Sequence, residues 1–235
     1  MPGPVLVGIT VLIVLVTTNA VNFIDGLDGL AAGIVAIAAF AFFVYAYRLG
    51  STYNPANVFS TATFVTAATL GCCLGFLPHN FNPARLFMGD SGALLLGLLL
   101  AAATVSLTGN VDPSSVSGDP LTAALLPIAA PLAVLSLPLL DMGLAILRRT
   151  RAGQKPWEPD SKHLHHQMLR RGHGHRAAVL VLYLWAAIIA LGTVGVAFYR
   201  TWWTFAALAV VVAAAAVLTK YLPAVVAARH RSRGL

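Results

Sequence analysis

Residues 4–31 read PVLVGITVLIVLVTTNAVNFIDGLDGLA, a long apolar run that leads directly into a cluster of amides and carboxylates. A run of this length is sufficient for a helix to cross a bilayer. Polar oxygen ligands are costly to place at a membrane boundary, and they are functional by default. The stretch therefore predicts a membrane helix that ends at a functional site.

The rest of the chain has the composition of a polytopic membrane protein. Its 235 residues are 58% hydrophobic and 10% charged, whereas a soluble domain carries about a quarter charged residues. The apolar runs are long and lack the alternation of a barrel strand, so we predict an all-α membrane protein with about seven transmembrane helices and a single domain over residues 1–235. The predicted spans are 4–21, 30–47, 58–76, 92–108, 121–147, 177–198 and 202–222.

The basic residues are distributed unevenly about these spans. If the spans alternate in direction, thirteen of the fifteen Lys and Arg residues fall on one side. The positive-inside rule makes this side cytoplasmic, and it would hold loops at about 22–29, 78–91 and 148–176 and a basic tail at 223–235. We therefore expect a multi-pass protein of the plasma (inner) membrane with its site at the cytoplasmic face. The net charge of +7 reflects this topology and does not indicate a nucleic-acid partner.

The first polar cluster contains Asn22, Asp25 and Asp28 at intervals of three residues. This spacing brings their side chains close to one face of a helix or tight turn. The glycines that follow each Asp allow a ligand or another backbone to approach closely. Capping of the next helix would explain one Asp, but it would not explain two Asp and two Asn.

A second cluster of the same kind is Phe87-Met88-Gly89-Asp90-Ser91-Gly92, again followed by an apolar run. The Asp90 carboxylate should lie near a helix N-terminus, which favours anions such as phosphate. A simple N-cap is the alternative interpretation. Together with Asn22, Asp25 and Asp28, this carboxylate provides hard oxygen ligands that suit Mg²⁺, which takes its remaining ligands from phosphates and water.

The loop at 148–176 is rich in histidine. It contains His163-Leu164-His165-His166 and, further on, His173 and His175 among Lys and Arg residues. This density predicts binding of a polyanion such as a diphosphate. A zinc site is conceivable, although the segment has no Cys and its spacing fits no standard finger. A solvated positive-inside loop remains a further alternative.

Taken together, these motifs resemble the polyprenyl-phosphate N-acetylhexosamine-1-phosphate transferases, which form glycosyltransferase family 4. The resemblance rests on Asn19 to Ala31, on Asn80 to Gly92, and on His163 to His166, which occur in the family's order. It covers essentially the whole chain. The His-x-His-His form with Arg176 downstream is more similar to the UDP-N-acetylglucosamine branch than to the muramoyl-pentapeptide branch.

The resemblance implies transfer of a sugar-1-phosphate, expected to be GlcNAc-1-phosphate, from a UDP-sugar to polyprenyl phosphate, with release of UMP. This is an initiating step of cell-wall and envelope glycan synthesis. It implies an Mg²⁺ cofactor, with Mn²⁺ as an alternative, held by Asn22 and Asp90, and catalytic roles for Asp25, Asp28 and Asp90. The implied partners are polyprenyl phosphate, a UDP-N-acetylhexosamine, the bilayer and a second copy in a homodimer. The implied substrate-binding residues are Asn19, Asn80, His163, His165, His166 and Arg176.

Members of this family carry further spans and an Asp-Asp pair ahead of the first motif, and this chain contains no Asp-Asp pair. We therefore expect an N-terminally shortened member whose activity on its own is open. The alternatives are a phospho-MurNAc-pentapeptide transferase, an inactive remnant and an ion-coupled transporter. A transporter would place its charges near mid-span, whereas the polar clusters here lie at one membrane face.

Overall fold

The computed structural model describes residues 3–53, 58–109, 136–151, 153, 155, 168–169, 172–199 and 201–232. All regular structure in these ranges is helical. The helices are α1 (Gly3–Ile24), α2 (Leu30–Tyr53), α3 (Thr61–Asn80), α4 (Gly89–Gly109), α5 (Ser136–Arg151), α6 (His175–Phe198) and α7 (Trp202–Ser232).

Six helices in the described ranges are long and apolar enough to cross a membrane, namely all but α5. They confirm the prediction of an all-α, multi-pass membrane fold, and they match six of the seven predicted spans. The remaining predicted span, 121–147, lies partly outside the described residues, and its end falls within α5.

Several helices extend beyond the apolar runs from which they were predicted. Helix α1 continues to Ile24 and helix α4 begins at Gly89, because backbone hydrogen bonding can continue through polar residues at a helix end. Asn22 consequently lies in the last turn of α1, and Asp90 lies in the first turn of α4. The membrane-boundary residues are thus held on helices, and only Asp25 and Asp28 lie in the turn between α1 and α2.

Helix α2 occupies the centre of the bundle. In its apolar window 72% of the residues are buried inside the protein, against 6% for α7. It packs against α3 and α6, while α1 packs against α4 and α5, and α7 packs against α6. Small side chains allow such close packing between membrane helices, and the buried alanines of α2 are Ala31, Ala32, Ala36, Ala38, Ala39, Ala41 and Ala46.

Helices α2 and α6 run parallel, and contacts along both fix their register. Tyr183 of α6 lies against the start of α2 at Gly33. Near the other end, the rings of Tyr45 and Phe198 lie 5.5 Å apart between centroids. Just beyond, Arg48 donates a hydrogen bond to the Tyr199 hydroxyl. The N-termini of α2 and α6 therefore lie at the same end of the bundle.

Helices α1 and α4 approach each other closely at Gly97. A Cβ added to this buried residue would lie 2.6 Å from the Cα of Thr18, a distance at which the backbones would have to separate. Thr18 lies one turn before Asn22, and Gly97 lies about two turns after Asp90. This contact sets the distance between the two helix ends that carry the predicted ligands.

Candidate functional site

The predicted site residues that the structure describes gather at one end of the bundle. Helices α1 and α3 end there, and helices α2, α4 and α6 begin there. Hydrogen bonds between residues far apart in sequence link these ends, among them those from Asn22 to Asp90, from Gly29 to Asn80, and from Arg176 to Asn82. Two polar clusters that are far apart in sequence thus form one site.

Asn22 and Asp90 are in direct contact. The Asn22 side-chain amide donates to Asp90 Oδ1 over 3.2 Å, between residues that are 68 positions apart. Asp90 is exposed and Asn22 is half-buried, so both are accessible from outside the bundle. The sequence prediction paired these two residues as metal ligands, and the geometry brings them together.

Asp25 lies beside this pair, in the turn after α1. Its backbone N–H donates to the Asn22 carbonyl over 3.1 Å, which holds the turn against the helix end. Burial, and to a smaller degree the negative charge of Asp90, raise the pKa of the Asp25 carboxyl. Two neighbouring carboxylates that repel each other favour a shared proton or a shared cation.

Asp28 faces a different partner, the loop between α3 and α4. Its Oδ2 accepts hydrogen bonds from Asn82 Nδ2 over 3.0 Å and from the Ala84 backbone N–H over 3.1 Å. The Ala84 amide, the Asn82 amide and the nearby His175 lower the pKa of the Asp28 carboxyl, and burial opposes them in part. Asp28 is therefore an ionised anchor for this loop.

Asn80 is 4% exposed and uses both ends of its side-chain amide within the protein. Its Oδ1 accepts from the Gly29 N–H over 3.1 Å, and its Nδ2 donates to the Leu86 carbonyl over 2.9 Å. Gly29 has a φ of +81°, which L side chains rarely adopt. Asn80 thus fixes the turn at Gly29, and its predicted contact with substrate stays a prediction.

The other predicted substrate-binding residues are placed as follows. Arg176 is exposed, and its Nε donates to the Asn82 carbonyl over 2.9 Å. Asn19 is exposed on α1, where its amide donates to the Leu15 carbonyl of the same helix over 2.7 Å. His163, His165 and His166 lie outside the described residues.

The site offers few protein donors for a metal. Among the described residues, no group of three or more His, Cys, Asp or Glu side chains could hold an ion. Asn22 and Asp90 instead provide an amide and a carboxylate within hydrogen-bond distance of each other. The Asp25 carboxyl lies near enough for the charge of Asp90 to raise its pKa. Such a small set of oxygen donors is typical of Mg²⁺ sites that also use substrate phosphates and water.

Sequence reasoning missed three residues that support the site, namely Asn82, Tyr183 and Gly33. Asn82 links Asp28 to Arg176, and its position in the 78–91 loop beside Pro83 was the only signal for it. Tyr183 donates a hydrogen bond to the Gly29 carbonyl, and its ring fills the space over Gly33. Tyr183 and Gly33 lie in uniformly apolar runs, where nothing in the sequence distinguishes them.

The sequence of the chain is similar to those of known proteins. The chain is 43% identical over 162 residues to decaprenyl-phosphate N-acetylglucosaminephosphotransferase of Mycolicibacterium smegmatis, which covers 69% of this chain and 40% of the relative. It is 35% identical over 137 residues to the probable undecaprenyl-phosphate N-acetylglucosaminyl 1-phosphate transferase of Bacillus subtilis, covering 58% of this chain and 34% of that protein.

The chain therefore spans about two fifths of the length of the first of these curated relatives and about a third of the second. Residues 1–108 match the family described as glycosyl transferase family 4. This matched segment contains Asn22, Asp25, Asp28, Asn80 and Asp90, which are the residues that the structure gathers at one end of the bundle. By its residues 1–108, the chain belongs to glycosyl transferase family 4.

Proposed function

We propose that the protein transfers GlcNAc-1-phosphate from UDP-GlcNAc to a polyprenyl phosphate at the cytoplasmic face of the plasma membrane. The products are a polyprenyl-diphosphate sugar and UMP. The observation that carries the proposal is the contact between Asn22 and Asp90, which joins two polar clusters at the end of an apolar bundle. A water-soluble donor and a lipid acceptor can meet only at such a boundary. The names of the curated relatives support the same chemistry.

In the proposed reaction an oxygen of the lipid phosphate attacks the phosphorus that bears the sugar. The bond from that phosphorus to the bridging oxygen breaks, and UMP leaves with the electron pair. Because both the attacking and the leaving group are phosphates, negative charge is concentrated at the reacting centre. Catalysis then depends mainly on positioning and on charge stabilisation.

Asn22 and Asp90 would hold an Mg²⁺ ion, or Mn²⁺ in its place, because their side chains lie in contact and an amide oxygen and a carboxylate are both hard donors. The Asn22 NH2 group faces Asp90, so ion binding would replace this hydrogen bond and use Asn22 Oδ1 instead. Such an ion would neutralise charge on the diphosphate. The raised pKa of Asp25 suits a carboxyl that accepts the proton of the lipid phosphate. For Asp28 we propose a positioning role, since both of its hydrogen bonds hold the loop between α3 and α4.

We extend the proposal to the histidines of the basic segment before α6 and to Arg176 in the first turn of α6. His163, His165, His166 and Arg176 would donate hydrogen bonds to the sugar-phosphate part of the donor. Arg176 already reaches the loop that Asp28 anchors, through the Asn82 carbonyl. A cation at that point lies at the same end of the bundle as Asp90, where the donor diphosphate would bind.

The experiment is a transfer assay with the purified chain, decaprenyl phosphate and labelled UDP-GlcNAc, in which lipid-linked sugar and UMP are both measured. Asp90→Asn should lower the rate about a thousandfold or more, because it removes the charged ligand beside the diphosphate. The matched control is Asp119→Asn, which should keep the parent rate. Asp119 lies between the predicted spans 92–108 and 121–147, and alternating spans place that segment on the side opposite the site. UMP release that does not require the prenyl phosphate would contradict the proposal.

A further inference from the structure

Tyr183 of α6 is inserted between two glycines at the start of α2. A Cβ at Gly33 would overlap the Tyr183 ring, so only glycine leaves room for the ring at this position. The Tyr183 hydroxyl donates a hydrogen bond to the Gly29 carbonyl. The ring and the hydroxyl therefore both engage the backbone at the N-terminus of α2, directly after Asp28.

Gly29 is held from two sides by side chains of different helices. Its N–H donates to Asn80 Oδ1 over 3.1 Å, and its carbonyl accepts from Tyr183. The same carbonyl also accepts the Gly33 N–H over 3.0 Å, as part of the first turn leading into α2. Gly29 also has a φ of +81°. Together with this backbone angle, the contacts determine the direction in which the chain passes from the turn at Asp25–Asp28 into α2.

Helix α6 has a second attachment to the site on the same face. Arg176 and Tyr183 are seven residues apart, which is about two helical turns. Arg176 contacts the loop held by Asp28 through the Asn82 carbonyl, while Tyr183 contacts the turn that contains Asp28. One face of α6 therefore holds both the turn that contains Asp28 and the loop between α3 and α4 to which Asp28 is hydrogen-bonded.

We propose that the Tyr183 hydroxyl is a positioning residue for the Asp25–Gly29 turn and acts on the transfer reaction without touching either substrate. This inference rests on the proposed function for its kinetic consequence, but its structural part can be measured without turnover. When the hydroxyl is absent, Gly29 loses one of the two side chains that hold it. The carboxylate of Asp25 is then held less firmly beside Asp90.

The test compares Tyr183→Phe with the parent protein by amide hydrogen exchange of the segment 26–33 and by transfer kinetics. Tyr183→Phe keeps the ring and removes one neutral hydrogen bond, so exchange should accelerate about five- to tenfold. The value of kcat should fall by a similar factor, while KM for UDP-GlcNAc stays nearly constant, since no substrate contact is lost. Gly33→Ala, which displaces the whole ring, should accelerate exchange in the same segment.

Tyr45→Phe is the matched control, because Tyr45 is a buried tyrosine on α2 away from the turn. It should leave exchange in the segment 26–33 unchanged. Unchanged exchange in Tyr183→Phe would overturn the inference, and so would a large rise in KM alone, which indicates contact with the donor. If exchange accelerates but the parent protein shows no transfer, the positioning role of Tyr183 is supported and the proposed function fails.

Discussion

Asp25 and Asp28 lie three residues apart in one turn, and their surroundings shift the carboxyl pKa values in opposite directions. Burial and the charge of Asp90 raise the pKa of Asp25, whereas the Ala84 and Asn82 amides lower that of Asp28. A pair of titratable groups with divergent pKa values indicates different tasks. Asp25 is suited to proton transfer or to sharing a cation, and Asp28 is suited to holding the loop.

These shifts predict opposite effects on stability when each carboxyl is replaced by an amide. A group whose pKa is raised in the folded state loses its stabilising contribution as the pH rises through that pKa. Asp25→Asn should therefore raise the thermal midpoint at pH 7 by a few degrees at most, since the group is partly exposed to solvent. The measurement is a thermal unfolding series from pH 4 to pH 8 with EDTA present.

For Asp28→Asn we expect the thermal midpoint to change in the opposite direction. The pKa of the Asp28 carboxyl is lowered in the folded state, so the ionised carboxylate stabilises the fold when the pH is above the unfolded-state pKa of 3.8. This stabilisation is lost as the pH falls through the folded-state pKa. The variant should consequently have a lower thermal midpoint than the parent at pH 7. Equal midpoints for the two variants across the series would argue against the assigned surroundings.

The histidine segment predicts a kinetic phenotype distinct from that of the metal ligands. If His165 and His166 place hydrogen-bond donors where charge develops on the diphosphate, His165→Ala should lower kcat and raise KM for UDP-GlcNAc. Binding of the polyprenyl phosphate should be nearly unaffected. Steady-state kinetics with each substrate varied in turn would measure both effects. Parent-like values for both His165→Ala and His166→Ala would assign the segment to the solvated alternative.

At the scale of the helices, the close approach of α1 and α4 controls the contact between Asn22 and Asp90. Gly97→Ala would place a methyl group against the Thr18 backbone, so the two helices must move apart. We expect about 1–3 kcal/mol of destabilisation from the overpacking. Transfer activity should fall about a hundredfold, because catalytic geometry is sensitive to shifts of about 1 Å.

Gly71→Ala on α3 provides the control for this change. Apart from the neighbouring backbone of α3 itself, no atom lies within 4 Å of a Cβ built at Gly71, so the same substitution adds a methyl group to open space. Its thermal midpoint and its transfer activity should match those of the parent. A Gly97→Ala protein that keeps parent activity would show that the spacing of these helices is not critical.

The sequence could predict the helices and that the first two polar clusters share one end of the bundle, but it could not predict which helices are neighbours. The two polar clusters could be assigned to one site because both carry oxygen ligands beside apolar runs, and the pairing of Asn22 with Asp90 came from the family resemblance. The contact between Tyr183 and Gly29 could not be predicted, since α2 and α6 are apolar on every side and their periodicity marks no contact face. The anchoring of Asp28 by Asn82 depends on the path of a loop, which no regular repeat encodes.

For the whole molecule, the positive-inside rule predicts that the end carrying the site is cytoplasmic. Two exposed positions at opposite ends, Arg85 and Thr201, allow a direct test by single-cysteine labelling in intact cells. In a background with Cys72→Ser and Cys73→Ser, an impermeant reagent should label Thr201→Cys and spare Arg85→Cys until the membrane is opened. Labelling of Arg85→Cys from outside would reverse the topology.

The packing of α1 against α4 and α5 also has a consequence for biosynthesis. Helices emerge from the ribosome in order, so α1 enters the membrane well before the helices that will cover it. A nascent chain that ends within α3 would hold Asn22 and Asp25 with no Asp90 beside them. On the proposal that Asn22 and Asp90 hold Mg²⁺, affinity for the ion should arise abruptly during translation, once the start of α4 has been inserted. Ribosome-stalled chains of increasing length would show at which codon this competence is acquired.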